Sequence, residues 1–266
     1  MLNFCSLYSG SSGNSLFVES DNTKVLIDVG LSCKKIEEAL VSIEENLSSI
    51  DAILITHEHS DHIKGLSTIS KKYDIPVYAT KKTFDAMPSQ KEKIPIKNIN
   101  FFNVNEKFNI KNLEINPFSI PHDAADPCGF NISDNENKLS IATDIGHMTN
   151  SILKNLEGSK LVLLESNYDT EVLKCCKYPF NLKARIAGSN GHLSNTIAGK
   201  TISYLLKNSN LHTALLGHLS KESNFPELAY QTTIDEIITN GCNTNSINLS
   251  VASRDFPGKL IKVWLF

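Results

Sequence analysis

Residues 56–65 read THEHSDHIKG. Three histidines, a glutamate and an aspartate fall within positions 57–62, a density of metal-seeking side chains that folding alone does not require. In extended backbone successive side chains alternate, so His57 and His59 project to one side and Glu58 turns away. Asp61 and His62 begin the next helical stretch and point elsewhere. Two neighbouring metal ions satisfy this arrangement, one taking His57 and His59, the other Asp61 and His62. Imidazole nitrogen with carboxylate oxygen suits zinc, manganese or iron(II). Glu58 and Ser60, off the ligand face, are expected to hydrogen-bond the loop.

Such a loop needs a rigid frame. SIDAILIT, just before it, is a short apolar run of the kind a strand covered on both faces requires, and it delivers His57 past its end. DHIKGLSTISKKY then reads as one helix and IPVYAT as a strand. Upstream, LNFCSLYS, NSLFVES and KVLIDVG read as strands joined by SGSSGNS and SDNTK. Ser32 caps a helix that carries Ile36, Leu40 and Ile43 at helical spacing. Downstream, FNIKNLEINPFSI is a hairpin leading to His122. CGFNIS and LSIATDIG are strands about DNENK, and KLVLLES is a strand. SNTIAGKTISYLLKN is a helix, HTALLGHLS a strand running into a loop, PELAYQTTIDEII a helix, and INLSVAS and KLIKVWLF are closing strands. There is no long linker and no fixed-period repeat, yet both halves carry several strands with helices attached. The order predicts an α/β (α+β) chain folded as one domain over residues 1–266. Two packed sheets with helices outside form a four-layer αβ/βα sandwich, whose strand ends meet along one edge.

HxHxDH after an apolar strand resembles the signature of the metallo-β-lactamase fold superfamily, and the likeness covers the whole chain. The resemblance implies roles for further residues. Asp28 in LIDVG matches a buried aspartate that orients the HxHxDH loop. His122 in SIPHDAADP and His218 in ALLGHLSKESN match later ligand motifs, and Asp144 in SIATDIG matches the carboxylate that bridges both metals. One ion would take His57, His59 and His122, the other Asp61, His62 and His218, with Asp144 between them. SLYSGSSGNS, PHDAADPCGF, LESNYD, YPFNLKARI, GHLSN and GHLSKESN are similar to the YycJ/WalJ group, whose site resembles those of RNase Z and RNase J. That likeness implies a metal-dependent phosphodiesterase, with 5'-to-3' exonuclease activity on double-stranded DNA. Tyr168, in LESNYD, stands where the group commonly has histidine.

The chemistry sets three tasks: a nucleophile at neutral pH, neutralisation of charge and protonation of the leaving group. Two metals about 3.5–4 Å apart supply an activated hydroxide and Lewis-acid contacts, and Asp61 would orient the hydroxide. The third task falls to His192, in SNGHLSN, which in RNase Z-like sites lies beside the scissile phosphate; Glu165 supports it from a strand end. The two GHLS segments compete for the last ligand position. His218 follows an apolar strand, as a ligand motif should. His192 follows a Gly/Asn turn and precedes a helix, which suits a phosphate-facing group. His218 is the favoured ligand, with exchanged roles as the alternative. His147 reads as a neighbour of the site and His212 as a surface residue. The turn SGSSGNS either only joins its strands or presents backbone N–H groups to a phosphate; the family resemblance implies Ser11, Ser12 and Asn14 at the substrate rim.

A net charge of -3 provides no global basic field for nucleic acid. The segment 71–97 is a local exception, with Lys71, Lys72, Lys81, Lys82, Lys91, Lys93 and Lys97 against Asp74, Asp85 and Glu92; a basic DNA-holding surface is one reading of it, a solvated face the other. The six scattered cysteines include no CxxC and read as free, mostly buried thiols. With no positive N-terminal region and no apolar run of membrane length, a cytoplasmic location is expected. The rival function is hydrolysis of a small phosphodiester, lactone or thioester, since no long inserted clamp for a polynucleotide is present. Composition says nothing about oligomeric state.

Overall fold

The computed structural model describes residues 1–263. Within them lie two seven-stranded sheets. The first contains β1 (Leu2–Tyr8), β2 (Ser15–Ser20), β3 (Thr23–Ile27), β4 (Ala52–Leu54), β5 (Val77–Ala79) and β6 (Ile99–Phe101). The second contains β7 (Phe108–Ile110), β8 (Leu113–Ser119), β9 (Cys128–Ser133), β10 (Lys138–Ala142), β11 (Leu161–Glu165), β12 (Thr213–Gly217) and β13 (Asn248–Val251). A last strand, β14 (Ile261–Val263), returns to the first sheet beside β1. The expected strand KLIKVWLF is seen only to Val263; residues 264–266 lie outside the described residues.

The sheets follow one scheme. In the order β14-β1-β2-β3-β4-β5-β6, pairing is antiparallel as far as β3 and parallel beyond it. In the order β7-β8-β9-β10-β11-β12-β13, the switch comes at β10. The loose likeness of the halves is thus a repeated sheet topology.

Alternation along the strands builds the layers. Val25 and Ile27 face the second sheet, where they join Leu139, Ile141, Leu161 and Leu163 in a common core. Leu26 faces outward onto Ile36 and Leu40 of the helix Cys33–Val41. Val162 and Leu164 do the same toward Ala198 and Ile202 of the helix Asn195–Asn208. Full burial of each such side chain contributes about 1.5–3 kcal/mol, so both sheets are held on both faces and their ends are fixed in space. Ser32 and Ser194 cap their helices through side-chain bonds to the N–H groups of Lys35 and Ile197.

One helix differs from expectation. Residues 61–73 are two pieces, Ser60–Ile63 and Leu66–Tyr73. Gly65 breaks them: its N–H donates to Val29 O instead of continuing the first turn, and a Cβ there would lie 2.4 Å from Leu31 O. The break lets the HxHxDH segment press against the corner after β3. No helix among the described residues is long and apolar enough to cross a membrane.

Candidate metal centre and active site

The loop after β4 is gripped by the corner after β3. Asp28 Oδ1 accepts the Thr56 N–H at 2.9 Å, and Oδ2 accepts the Thr56 hydroxyl at 2.8 Å and meets His62 Nδ1 at 2.8 Å. Val29 N–H donates to His62 O, and Asn14 N–H to Asp61 O. Gly30 allows this approach, because a Cβ would stand 1.6 Å from Asp61 O. Glu58 turns away, as alternation requires, and its Oε1 accepts the Ala125 N–H at 2.8 Å. That bond ties the loop to the segment after His122.

Two donor groups converge at the sheet ends. His57 Nε2 lies 3.0 Å from His59 Nδ1, which lies 3.4 Å from His122 Nε2. The outer nitrogen of each ring is engaged elsewhere: His57 Nδ1 with Thr56 Oγ1, His59 Nε2 with Asp123 O, His122 Nδ1 with Gly191 O. Those bonds fix the tautomers and leave the three inner nitrogens as acceptors. In the second group, Asp61 Oδ2 stands 3.7 Å from His62 Nε2 and 3.9 Å from His218 Nε2. Asp144 spans both groups, with Oδ1 3.7 Å from His122 Nε2 and Oδ2 3.5 Å from His62 Nε2.

These donors fit a divalent metal. Asp144 Oδ2 and His218 Nε2 are buried and have no hydrogen-bond partner among the described residues, a costly state unless a cation takes them. Tetrahedral zinc with Zn–N bonds of ~2.0–2.1 Å places its ligand atoms about 3.3 Å apart, near the spacing within the three-histidine group. Burial drives His57 and His122 to lower pKa, keeping both neutral and able to ligate. Against burial, which works the other way, the Asp28 and Asp144 carboxylates lift His62 to about 9, and Asp144, Asp61 and Glu165 lift His218 well above the usual range. Against the desolvation of a buried Asp144 and a half-buried Asp61, the surrounding imidazoles hold both below the ordinary carboxylate range. The site is built to accept positive charge.

One carboxylate organises the far side. Glu165, at the end of β11 and fully buried, meets His192 Nδ1 and His218 Nδ1 at 2.8 Å each through Oε1. Its Oε2 accepts the N–H groups of Ile145 and Leu193 at 2.7 and 3.0 Å. Against burial, which raises it, His192 and His218 hold its carboxyl well below the usual range. The His218 ring presents Nε2 to the second donor group, and the His192 side chain is partly exposed. Asp28, Asp144 and His218 all have positive φ, at 59°, 60° and 56°. Such backbone costs on the order of 1–3 kcal/mol per residue and persists where surrounding bonds over-determine it. At His218 those bonds are its N–H to Ser9 Oγ and Asn167 Nδ2 to its carbonyl.

The comparisons agree with this geometry. Residues 23–217 match the model of the beta-lactamase superfamily domain. The chain belongs to that superfamily. Its fold is the metallo-β-lactamase fold, shared with YhfI of Bacillus subtilis at a TM-score of 0.70 and 15% identity over 97% of this chain and 100% of the other. Within the superfamily the chain is 38% identical over 228 residues to exodeoxyribonuclease YycJ of Bacillus anthracis, covering 86% of each. It is 36% identical over 233 residues to exodeoxyribonuclease WalJ of Streptococcus pneumoniae D39, covering 87% of this chain and 86% of that one. It is a member of a family of metal-dependent hydrolases.

The structure brings together all seven expected donors with Asp28, Glu165 and His192. It treats the rim differently. Ser11 and Ser12 are exposed, but Asn14 is buried, with Nδ2 3.1 Å from His62 Nε2 and 3.5 Å from Asp61 Oδ2. Asn14 Oδ1 also closes the turn on the Gly10 N–H. The lysine segment is partly neutralised: Lys72, Lys82, Lys91 and Lys97 pair with Glu37, Asp126, Asp85 and Asp74. Tyr168 is bridged through its backbone to Ser194, beside His192, and burial raises its phenol. His147 Nδ1 meets Ser189 O on the surface. All six cysteines are free; Cys5, pushed up to about 12 by burial, and Cys128 are buried, whereas Cys175 is exposed. Sequence reasoning missed Thr56, Ser9, Asn167 and the Arg185–Asp123 ion pair at 2.6 Å. Thr56 and Asn167, chain neighbours of His57 and of Glu165 plus one, carried the only readable signal, polar residues at buried strand ends.

Proposed function

We propose that the protein is a cytoplasmic, single-domain exonuclease that trims double-stranded DNA from the 5' end with two divalent ions. One ion would be held by His57, His59 and His122 and the other by Asp61, His62 and His218, with Asp144 shared. When bound, the ions supply a water of lowered pKa and neutralise phosphate charge. Zinc and manganese suit this nitrogen-and-oxygen set, and iron(II) is compatible with it. Asp61, a quarter exposed at its side chain, accepts a hydrogen bond from the attacking water and aims it. His192, fixed by Glu165 at Nδ1, offers Nε2–H to a phosphate oxygen and then to the leaving oxygen. Ser11 and Ser12 stand at the entrance.

The observation that carries the hydrolytic reading is the Glu165 carboxylate held by both His192 and His218, which couples a metal-facing ring to a ring beside it that has no place in the donor groups of the HxHxDH loop. Identity to exodeoxyribonucleases over 86% of their length supports DNA as substrate and the exonuclease mode; polarity rests on family likeness. Duplexes labelled at either end, incubated with manganese or zinc, test this. Early short products from the 5' label are expected. Early products from the 3' label reverse the polarity, and cleavage of bis(p-nitrophenyl) phosphate with every nucleic acid left intact replaces the reading by a small-substrate hydrolase.

A further inference from the structure

Beside the donor groups lies an open cavity of about 670 Å³, with Ser12, Lys221, Phe225, Arg254 and Phe256 on its walls. Chain neighbours of site residues line it. Leu219, which follows His218, also lines it and forms a bridge to Gly10; Ser12 sits two residues before Asn14, which touches His62. The volume falls in the range of small-ligand sites, roughly 300–1,000 Å³.

The side chains here are unlike an ordinary surface. Phe225 and Phe256 are 49% and 66% exposed, and burying neither ring is a loss that a purely structural loop would avoid. Phe256 is held outward by a turn in which Ser253 Oγ accepts the N–H groups of Asp255 and Phe256. Arg254, next to it, lies across Gly10, where a Cβ would come within 2.8 Å of its Cγ, and its Nη1 donates to Leu219 O at 3.3 Å. Neither Arg254 nor Lys221 has a carboxylate within ion-pairing distance among the described residues. Asp255 is the acid on this wall. Exposed aromatic faces with unpaired cations are the chemistry of a single-stranded nucleic-acid subsite: bases stack on rings and phosphates meet cations, whatever the sequence.

We propose that this cavity takes the nucleotide adjoining the scissile phosphate, its unpaired base against the Phe256 and Phe225 rings and its flanking phosphate on Arg254 and Lys221. The inference rests on the nuclease reading and adds to it the grip that separates DNA from simple phosphodiesters. A duplex end must fray by at least one pair to enter.

The test compares kcat/KM on a 5'-labelled DNA with kcat/KM on bis(p-nitrophenyl) phosphate, in the metal-loaded full chain. Their ratio is independent of the fraction of active protein, so partial misfolding of a variant cancels. Phe256→Ala is expected to lower the ratio about 5- to 150-fold, the worth of one base–aromatic stack, mainly through KM for DNA, and Phe256→Trp to restore it. Phe225→Ala is expected to lower it as well. Ratios equal to wild type in both alanine variants overturn the subsite while leaving the nuclease intact. A wild-type protein that hydrolyses the aryl diester and no DNA overturns the nuclease reading, and the subsite with it.

Discussion

The chain turns the same corner twice. Asp28-Val29-Gly30 follows β3 and Asp144-Ile145-Gly146 follows β10, each where its sheet switches from antiparallel to parallel pairing. Both aspartates are left-handed, at φ 59° and 60°. Both glycines admit a neighbouring backbone: a Cβ would lie 1.6 Å from Asp61 O in one case and 2.1 Å from Ser189 O in the other. Yet Asp28 has donors on both oxygens, whereas Asp144 keeps a buried Oδ2 with none. The difference comes from the adjoining strand end. After β4 stands Thr56, whose N–H and hydroxyl both serve Asp28. β11 ends in Glu165, which is itself an acceptor and takes the corner's Ile145 N–H. Donation runs toward the corner's side chain in the first half and away from its backbone in the second. One aspartate is therefore locked as a support, and its counterpart is left for a cation.

Exchanging the properties of the two corners should therefore have unequal results. The largest effect is expected at Asp144: Asp144→Ala should remove measurable phosphodiester hydrolysis and lower bound metal, because both donor groups lose a shared oxygen. Metal content by elemental analysis beside a turnover assay checks this; full metal with full activity would erase the distinction. Next come the glycines. Gly30→Ala and Gly146→Ala each force backbone apart, an overpacking cost of about 3 kcal/mol, which for a chain of this size lowers Tm by roughly 6–12 °C. A melting curve unchanged in either variant would show that its corner is not tight.

Asp28→Asn should be milder. The corner keeps its shape but loses the charge that orients His62, so metal affinity should fall about 10- to 100-fold. Competition with a chelator measures it, and a loss as complete as that of Asp144→Ala would make Asp28 more than a support. The smallest effect concerns the lysines near the strand starts. Lys24 pairs with Glu45 at 2.6 Å, but among the described residues Lys138 donates only to the carbonyls of Asn155 and Glu157, and burial lowers its pKa to about 8. The folded state sheds this proton first, so from about pH 8 to 10.5 the unfolded chain binds more protons and stability rises with pH. The Lys138 contribution is unfavourable below pH 8 and is relieved across that window. After discounting for its partial exposure, urea unfolding of wild type against Lys138→Met should show a relative gain of about 1–2 kcal/mol from pH 8 to 10.5; a flat or falling difference contradicts it.

Much of this was legible in residue order. HxHxDH exposes its chemistry because ligand spacing is local: alternation pairs His57 with His59, and the chain turn separates Asp61 and His62. The strands were readable because each sheet buries both faces and so leaves apolar runs. What escaped depends on register between distant segments. That Glu165 serves both His192 and His218 follows from β11 lying beside β12, and nothing near Glu165 in sequence announces a second partner 53 residues away. Asn14 was expected at the rim on family likeness alone; the bond from its N–H to Asp61 O pulls it inward. Residue order left the lysines of 71–97 open between a basic patch and a solvated face, because two of their carboxylate partners, Glu37 and Asp126, lie outside the segment.

The central claim is that the converging donor groups make a two-metal phosphodiesterase. Its most direct test is a titration of chelator-stripped protein with manganese or zinc, following bound metal and hydrolysis of 5'-labelled duplex DNA in the same samples. The account predicts no turnover without metal, and activity that rises to its plateau as bound metal approaches two equivalents per chain. Turnover in the stripped protein, a plateau at one equivalent, or two bound equivalents with no phosphodiester hydrolysis would contradict it.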